Sequence, residues 1–574
     1  MESLKKVNSL FDHNQKKKLY LLLFVIFFVS ILDLIGISAI LPVLIVFSDP
    51  KFIENDFIIL ILNKIGFLDE TNFLFYAIIF LFLIFVFKVF SSLILNFIKY
   101  KILLSFYSQI SNKLMGNYIK VSYSEFIKLR IFEKSNVIKT EIEYFILGVI
   151  DPILIISLEL LTIILISAFL LFYDASLLIK FFLFGFFITI LLTYLFSKKL
   201  KIIGNEKLLL NNLLQKQIFQ GFQGIKDIKL AVKENLFLSK YELITKKMSN
   251  VLASTKSLQE APRLLIELLA ITCFIFIIIM GLDNQEEFSS LIVKLGIFAA
   301  GAFRILPSLN RIVVSVNSIK QCHSVINVIY NDYQLKNKIK INFYEQNNFE
   351  KIKNIEIKNL KYKYIDSQDL IIDNLNLKIS AGDYIGIFGK SGCGKSTFVD
   401  LFSGLLTPND GNIVCNNKDI SSIKTIWKKK IGYVPQSIYL NNETIKENVA
   451  FGEKFENINE KKVLESIKKS SLDDYVKSLP EGINAIVGEN GVNLSGGQIQ
   501  RLGIARALYR DPEILIFDES TNSLDAETED KFMKVVSRIK DNKIVIFISH
   551  QKKILSECNK IYEFQNKKLL MKNN

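Results

Sequence analysis

The sequence has 574 residues, half of them hydrophobic, with 47 Phe against 9 Pro and a mean hydropathy of +0.31. That excludes a single small soluble domain and points to several units rich in long apolar helices. The net charge of +15 suggests a nucleic-acid partner, but the excess is mostly Lys, travels with abundant Ile, Asn and Phe as an AT-rich coding bias would, and sits in loops, so no nucleic acid is expected.

Six apolar stretches are long enough for roughly 30 Å of hydrocarbon, which takes about 20 residues each. They are Leu19–Phe47, Phe73–Phe97, Tyr144–Tyr173, Ala175–Phe196, Leu264–Gly281 and Leu291–Val316. The first exceeds the apolar core of a signal peptide, and no small-residue cleavage site follows it. After it, Phe57–Leu62 is too short to span. Flanked by Asp56 and Lys64, it reads either as a short interfacial helix or as a packed external loop.

Loop charge gives the orientation. Lys5, Lys6, Lys16, Lys17 and Lys18 precede the first span. The second-to-third connection carries Lys99, Lys101, Lys113, Lys120, Lys128, Arg130, Lys134 and Lys139, and the fourth-to-fifth is Lys-rich from Lys198 to Lys256. The remaining connections are acidic or very short, with Asp174 in one and Asp283, Glu286 and Glu287 in another. The positive-inside bias then puts both termini in the cytoplasm. The two long basic connections are helix-friendly, which suggests long helices projecting from the membrane and turning around short transverse helices. Candidate turns lie at Val121–Glu125 and Gly221–Ile225.

Charge inside a span is costly and usually faces a cavity. Lys88 lies within the second span, Arg263 opens the fifth, and Arg304 and Arg311 lie two helical turns apart on one face of the sixth. Four converging cations suit a phosphate or pyrophosphate, which guanidinium groups grip bidentately. The alternative is that Arg263 pairs with Glu267, four residues on, that Arg311 lies near the cytoplasmic boundary and that Lys88 snorkels.

From about Lys351 the texture changes to β-branched strands alternating with polar helices, the pattern of an α/β domain with a mainly parallel sheet. The domain expectation is therefore 1–330 for the membrane part, 331–350 for a linker and 351–574 for the α/β part. Strand Tyr384–Phe388 runs into Gly389, Lys390, Ser391, Gly392, Cys393, Gly394, Lys395, Ser396 and Thr397, which fits the phosphate-loop pattern G-x-x-x-x-G-K-[ST]. Its backbone N–H groups would curl around phosphates, with the following helix adding its dipole. Lys395 would hold the β- and γ-phosphates of ATP and Ser396 would ligate Mg²⁺. Further on, the apolar run Ile514–Phe517 ends in Asp518 and Glu519. Carboxylates at the end of a central strand meet the ligand crevice of an open sheet, so Asp518 would hold Mg²⁺ and Glu519 would polarise the attacking water. A helix N-terminal cap is the plainer reading of the same pair. The five cysteines (Cys273, Cys322, Cys393, Cys415, Cys558) show no metal-binding or CxxC spacing, so reduced thiols are expected.

Between these motifs stand Leu494, Ser495, Gly496, Gly497 and Gln498, then Gln500 and Arg501. With a phosphate loop upstream, this C-terminal third resembles the ATP-binding cassette proteins, whose signature is LSGGQ. The resemblance implies further roles. Gln436 would be the Q-loop residue and join Ser396 and Asp518 around Mg²⁺. Ser523, Leu524 and Asp525 would form the D-loop, His550 would be the switch histidine acting with Glu519, and Tyr364 would stack on adenine. It implies a head-to-tail dimer in which Ser495, Gly496, Gly497 and Gln498 of one chain close over ATP held by the other's phosphate loop. Gln551 stands where Arg is commoner in the family.

A membrane domain placed before the cassette resembles the exporter half-transporters, which implies a membrane protein: a six-transmembrane-helix ABC exporter domain fused to an α/β P-loop nucleotide-binding domain, working as a homodimer. The segments Pro262–Glu267 and Phe303–Arg311, and a first span carrying Asp33, resemble the bacterial lipid-linked oligosaccharide flippase of N-linked protein glycosylation. That implies ATP-driven transfer of a polyprenyl-diphosphate oligosaccharide between leaflets of the inner membrane, with Lys88, Arg263, Arg304 and Arg311 contacting it. Lys88 stands where Arg is expected. Exporters of lipid A, drugs or peptides are the competing readings. A processing peptide exporter would carry an N-terminal cysteine protease, whereas the first cysteine here is Cys273.

Overall fold

The computed structural model describes residues 2–38, 70–171, 175–283, 288–335, 350–364, 367–519, 529, 533 and 543–572. It divides into two compact units, one of Met1–Val121 with Phe126–Ile339 and one of Ser122–Glu125 with Lys340–Asn574.

The first unit is helical. Helix α1 (Glu2–Leu10) precedes α2 (His13–Ser38) and α3 (Glu70–Lys120); the four-residue α4 (Tyr123–Phe126), next in the chain, falls mostly within the second unit. A nearly continuous helical rod follows: α5 (Ile131–Asn136), a π turn at Val137–Glu141, α6 (Ile142–Phe145), a second π turn at Ile146–Ile150, and α7 (Asp151–Leu171). Then come α8 (Ala175–Gln223), α9 (Ile225–Leu230), α10 (Glu234–Asp283), α11 (Phe288–Gln321) and α12 (His323–Gln334). Five expected spans fall on α2, α3, α8, α10 and α11, and the third runs through α6, the second π turn and α7, although the end of the first, Phe57–Leu62, Phe172, Tyr173, Asp174, Glu286 and Glu287 lie outside the described residues. Among the described residues, Leu81–Lys120 and Ile131–Ala168 are long and apolar enough to cross a membrane. Helices α3, α8 and α10 have 51, 49 and 50 residues, far more than a bilayer needs. Their chain reversals, at α4 and α9, lie at the two expected turns.

Small residues set how closely these helices approach. A Cβ on Gly204 in α8 would stand 1.9 Å from the carbonyl oxygen of Gln321 at the end of α11, and one on Gly148 would stand 2.6 Å from Cys322 Sγ. The end of α11 is thus gripped from two sides by backbones with no side chain in the way. Phe11, Phe106 and Phe145 fill the core beside it, with Phe11 centroids 5.4 and 6.3 Å from the other two.

The second unit has two sheets. An antiparallel one, in the order β2-β1-β4-β5, contains β1 (Asn354–Tyr362), β2 (Ile372–Ser380), β4 (Asp410–Cys415) and β5 (Lys418–Asp419). The other, in the order β10-β9-β3-β8-β7-β6, contains β3 (Tyr384–Phe388), β6 (Ile431–Val434), β7 (Ile514–Asp518), β8 (Ile544–Ile548), β9 (Lys560–Gln565) and β10 (Lys568–Lys572). Strands β7 and β8 are buried at every residue, as strands covered on both faces must be. Because β9, β3, β8, β7 and β6 run parallel, the loops leaving β3, β6, β7 and β8 emerge along one edge. A separate helical cluster, with α14 (Glu460–Lys469) and α15 (Gly496–Tyr509), packs around Val463, Ile467, Leu502 and Ala505.

Candidate functional site

The loop after β3 turns through Gly392 and Gly394, at φ +79° and +116°, into α13 (Lys395–Phe402). Those angles suit glycine. A Cβ on Gly394 would also press on Ile371 and Phe564 at 3.0 and 3.1 Å. The loop presents Gly389, exposed Ser391 and Ser396, and half-buried Cys393. Lys395 is nearly buried, and its Nζ donates to the carbonyl oxygens of Gly389 (2.6 Å) and Lys390 (3.3 Å) while standing 3.3 Å from His550 Nε2.

The neighbouring loops bring the other expected residues to this point. Glu519, one residue past β7, is held at φ +47°, a left-handed conformation that costs a non-glycine residue free energy. Gln436, two past β6, donates its Nε2 to Glu519 Oε2 at 2.9 Å. His550, two past β8, has Nε2 3.9 Å from Glu519 Oε1. The amide Nε2 is thus spent on Glu519, which leaves the Gln436 carbonyl oxygen, the Ser396 hydroxyl and Asp518 as hard oxygen donors of the kind Mg²⁺ takes. Tyr364 packs edge-on against Tyr362 at 5.2 Å, with its hydroxyl 3.2 Å from Thr397 Oγ1. A buried lysine in a glycine loop at a helix start, facing a carboxylate pair, fits a nucleoside triphosphate and its metal.

Two residues that the motifs did not flag shape this site. Tyr433 donates its hydroxyl to Asp518 Oδ2 at 3.0 Å. Burial raises the Tyr433 hydroxyl's pKa, with the Asp518 charge adding to it. Burial likewise raises Asp518, opposed by the Tyr433 bond and the Lys395 charge. Asp400 on α13 is pushed up to about 6, first by burial and then by the Asp518 charge. Tyr433 lies within the same YVPQ stretch as Gln436 and was within reach of a sequence reading. Asp400 was visible only as an acid five residues past Lys395.

Ser495 caps α15: its Oγ accepts from the Gln498 backbone N–H at 3.3 Å, and Gln498 Oε1 accepts from the Ser495 N–H at 2.8 Å. The Gln498 side chain therefore serves a capping box, a local role the motif does not suggest. Gly496 and Gly497 form the first turn. Among the described residues, no hydrogen bond or ion pair joins Ser495–Gln498 to the phosphate loop of the same chain. Ser523, Leu524 and Asp525 lie outside the described residues.

The helical unit holds a cavity of about 400 Å³. Apolar lining comes from Leu22, Val25, Ile26 and Val29 on α2, Leu95 on α3, and Leu154, Ile155 and Leu158 on α7. Polar lining comes from Lys88, Ser92, Asn96 and Lys99 on α3, Glu159 on α7 and Arg311 on α11. The four polar α3 residues, spaced four, four and three apart, make one helical stripe. Arg311 Nε lies 3.1 Å from Glu159 Oε1, and Lys99 Nζ lies 2.9 Å from Asp151 Oδ1.

The four expected cations do not all meet here. Lys88 and Arg311 line the cavity, but Arg263 does not: its Nε is 2.8 Å from Glu267 Oε1, both side chains exposed, as the plainer reading of their spacing had it. The side chains of Arg304 and Asp33 lie outside the described residues. Sequence reasoning missed Ser92, Asn96, Lys99 and Glu159. The α3 stripe was legible in the spacing, and Glu159 was one of two acids, with Asp151, inside the third span.

The family model described as ABC transporter matches residues 372–522. The chain is 41% identical over 213 residues to the alpha-hemolysin translocation ATP-binding protein HlyB of Escherichia coli O157:H7, covering 37% of this chain and 30% of that protein. It is 32% identical over 371 residues to a protein of Rickettsia conorii described as an export ATP-binding/permease protein, covering 62% of each. A solved structure of a bacterial Atm1-family ABC exporter with ATP bound superimposes with a TM-score of 0.80 over 97% of this chain and 95% of that one, at 18% identity. The chain therefore has the Atm1-family ABC exporter fold, an N-terminal transmembrane domain fused to an ABC nucleotide-binding domain.

Proposed function

We propose that this chain is an ATP-driven half-transporter that works as a homodimer and flips a polyprenyl-diphosphate-linked oligosaccharide from the cytoplasmic to the outer leaflet of a bacterial inner membrane, with both termini cytoplasmic. ATP hydrolysis supplies the free energy for that cycle. Lys395 and the loop N–H groups would hold the phosphates, and Ser396, Gln436 and Asp518 would hold Mg²⁺. Glu519 would take up the proton of the attacking water, oriented by Gln436 and His550. Tyr364 would carry the adenine. Since Ser495–Gln498 and the phosphate loop are not bonded within one chain, a second copy would bring them together.

The observation that carries the substrate reading is the mixed lining of the cavity. Apolar lining from α2 and α7 together with a stripe of Lys88, Ser92, Asn96 and Lys99 and with Arg311 suits an amphiphile with an anionic head and a hydrocarbon tail. A drug or a neutral lipid would bring no anion to these cations, whereas an anionic head adds charge-assisted contacts.

Neutralising Arg311 alone would strand the buried Glu159, so Lys88 is the cleaner probe. Replacing Lys88 with Gln removes a charge-assisted contact, and flipping of a labelled polyprenyl-diphosphate glycan in proteoliposomes should fall about tenfold. Basal ATP hydrolysis should persist. Lys88→Arg, which restores the planar fork, should flip at least as well as the natural chain. Undiminished flipping by Lys88→Gln would reject the reading.

A further inference from the structure

Glu159 is 1% exposed, and no described group donates a hydrogen bond to either of its carboxylate oxygens. Arg311 Nε approaches to 3.1 Å, within ion-pair range but off the line of a hydrogen bond. A carboxylate buried among apolar helices is costly without good partners, so this pair is weakly satisfied on the Glu159 side. Arg311 is 45% exposed, and both residues line the cavity. Two turns nearer the start of α7, Asp151 holds Lys99 in the same way: its Oδ1 lacks a hydrogen-bond donor although Lys99 Nζ is 2.9 Å away. Helix α7 thus supplies a carboxylate to a cavity cation on α11 and another to one on α3.

We infer that Glu159 occupies the anion seat on Arg311 and is displaced by the headgroup of the transported lipid, so that it sets how much charge a substrate must carry. The inference rests on the substrate reading above for the class of ligand, an anionic amphiphile. It adds a specificity determinant on a helix where none was expected. An incoming anion gains only the difference between its own contact with Arg311 and the one Glu159 already makes. A monoanion exchanges one carboxylate for one phosphate oxygen and gains little. A diphosphate reaches Arg311 and still has oxygens left for Lys88, Ser92 or Asn96 on the α3 stripe. Glu159 thus subtracts the same amount from every anion, and only one with further contacts keeps a useful affinity. The same competitor, returning to Arg311, would assist release.

The test uses the full chain in phosphatidylcholine liposomes doped with polyprenyl diphosphate, polyprenyl monophosphate, phosphatidic acid or neutral polyprenol. The readouts are the half-maximal lipid concentration for ATPase stimulation and the lipid retained through purification. The natural chain should favour diphosphate over monophosphate. In Glu159→Gln both the diphosphate and the monophosphate should act at about tenfold lower concentration, the worth of one charge-assisted contact, so that the monophosphate enters the range in which only the diphosphate stimulates the natural chain. Glu159→Gln/Arg311→Gln, which removes the pair together, should respond to neither. This double variant keeps the test open should the single variant fold poorly. Unchanged half-maximal concentrations of both phosphates in Glu159→Gln overturn the inference, as does a flat response of both proteins to every anionic lipid. If phosphatidic acid tracks polyprenyl monophosphate through all variants, the Glu159 role stands and the polyprenyl reading falls.

Discussion

The nucleotide cluster and the helical cavity both gather charge, yet by opposite means. In the cassette, Gln436, Glu519 and His550 sit one or two residues past β6, β7 and β8, and Lys395 opens the helix after β3. A parallel sheet brings these loop starts to one edge whatever their side chains are, so backbone topology does the gathering. In the cavity, Lys88, Lys99, Glu159 and Arg311 come from within three helices, and only the packing of α3, α7 and α11 makes them neighbours. The first arrangement ties charge to strand ends and to glycine-permitted turns. The second ties it to helix rotation, and there Lys99 and Arg311 already hold acids.

The sharpest way to break the comparison is at Glu519. Its left-handed backbone and its bond to Gln436 place it for one role. Glu519→Gln keeps the shape and removes the base, so steady-state ATPase should fall about 10²- to 10⁴-fold. Turnover near that of the natural chain would show that strand-end placement does not assign the role. A packing counterpart in the helical unit comes next. Gly204→Ala drives a methyl to 1.9 Å from the Gln321 carbonyl oxygen, and overpacking of this kind costs about 1–3 kcal/mol. The thermal midpoint of the helical unit should drop, while nucleotide binding by the cassette stays. A midpoint unchanged by the added methyl would mean that α8 and α11 can separate freely.

The same contrast explains what was legible in the sequence. Phosphate loop, signature and β7 carboxylates are contiguous strings whose geometry is local, so Gly394, Lys395, Ser495, Asp518 and Glu519 could be placed from spacing alone. Helices α3, α8, α10 and α11 were legible as apolar runs. Which faces they turn to each other was not, because an apolar run of this length has no strong amphipathic face. Arg263 shows the consequence: its local partner Glu267 was visible four residues away and does hold it, whereas Glu159, the partner of Arg311, lies 152 residues earlier in the chain.

A smaller effect should follow at Tyr433, where the hydroxyl donates to Asp518 from the neighbouring strand. Tyr433→Phe leaves the ring and removes one hydrogen bond worth about 1 kcal/mol. If that bond positions Asp518 for Mg²⁺, the Mg²⁺ concentration for half-maximal ATPase should rise about fivefold with little change at saturating metal. A change in saturating turnover alone would assign Tyr433 to the chemical step instead.

The smallest expected effect tests whether the cassette tolerates an acid without the pairing that α7 gives its cavity cations. Asp400 is partly buried, with Asp518 as its nearest charge influence, and its pKa is raised from 3.8 to about 6. The sign follows from linkage: a carboxylate that is harder to ionise when folded favours the folded state while protonated. Its contribution is fully present below pH 3.8 and is lost as pH rises through about 6. Asp400→Asn removes the titration. The variant should therefore be more stable than the natural chain above pH 6, by on the order of 1 kcal/mol once the group's partial exposure is discounted, and the gap should close towards pH 4. Chemical denaturation followed at Trp427, buried in the cassette core, reads this unit by itself. Parallel pH profiles for the two proteins would mean that Asp400 ionises without penalty, and that the strand-end site, like the cavity, keeps each of its acids compensated.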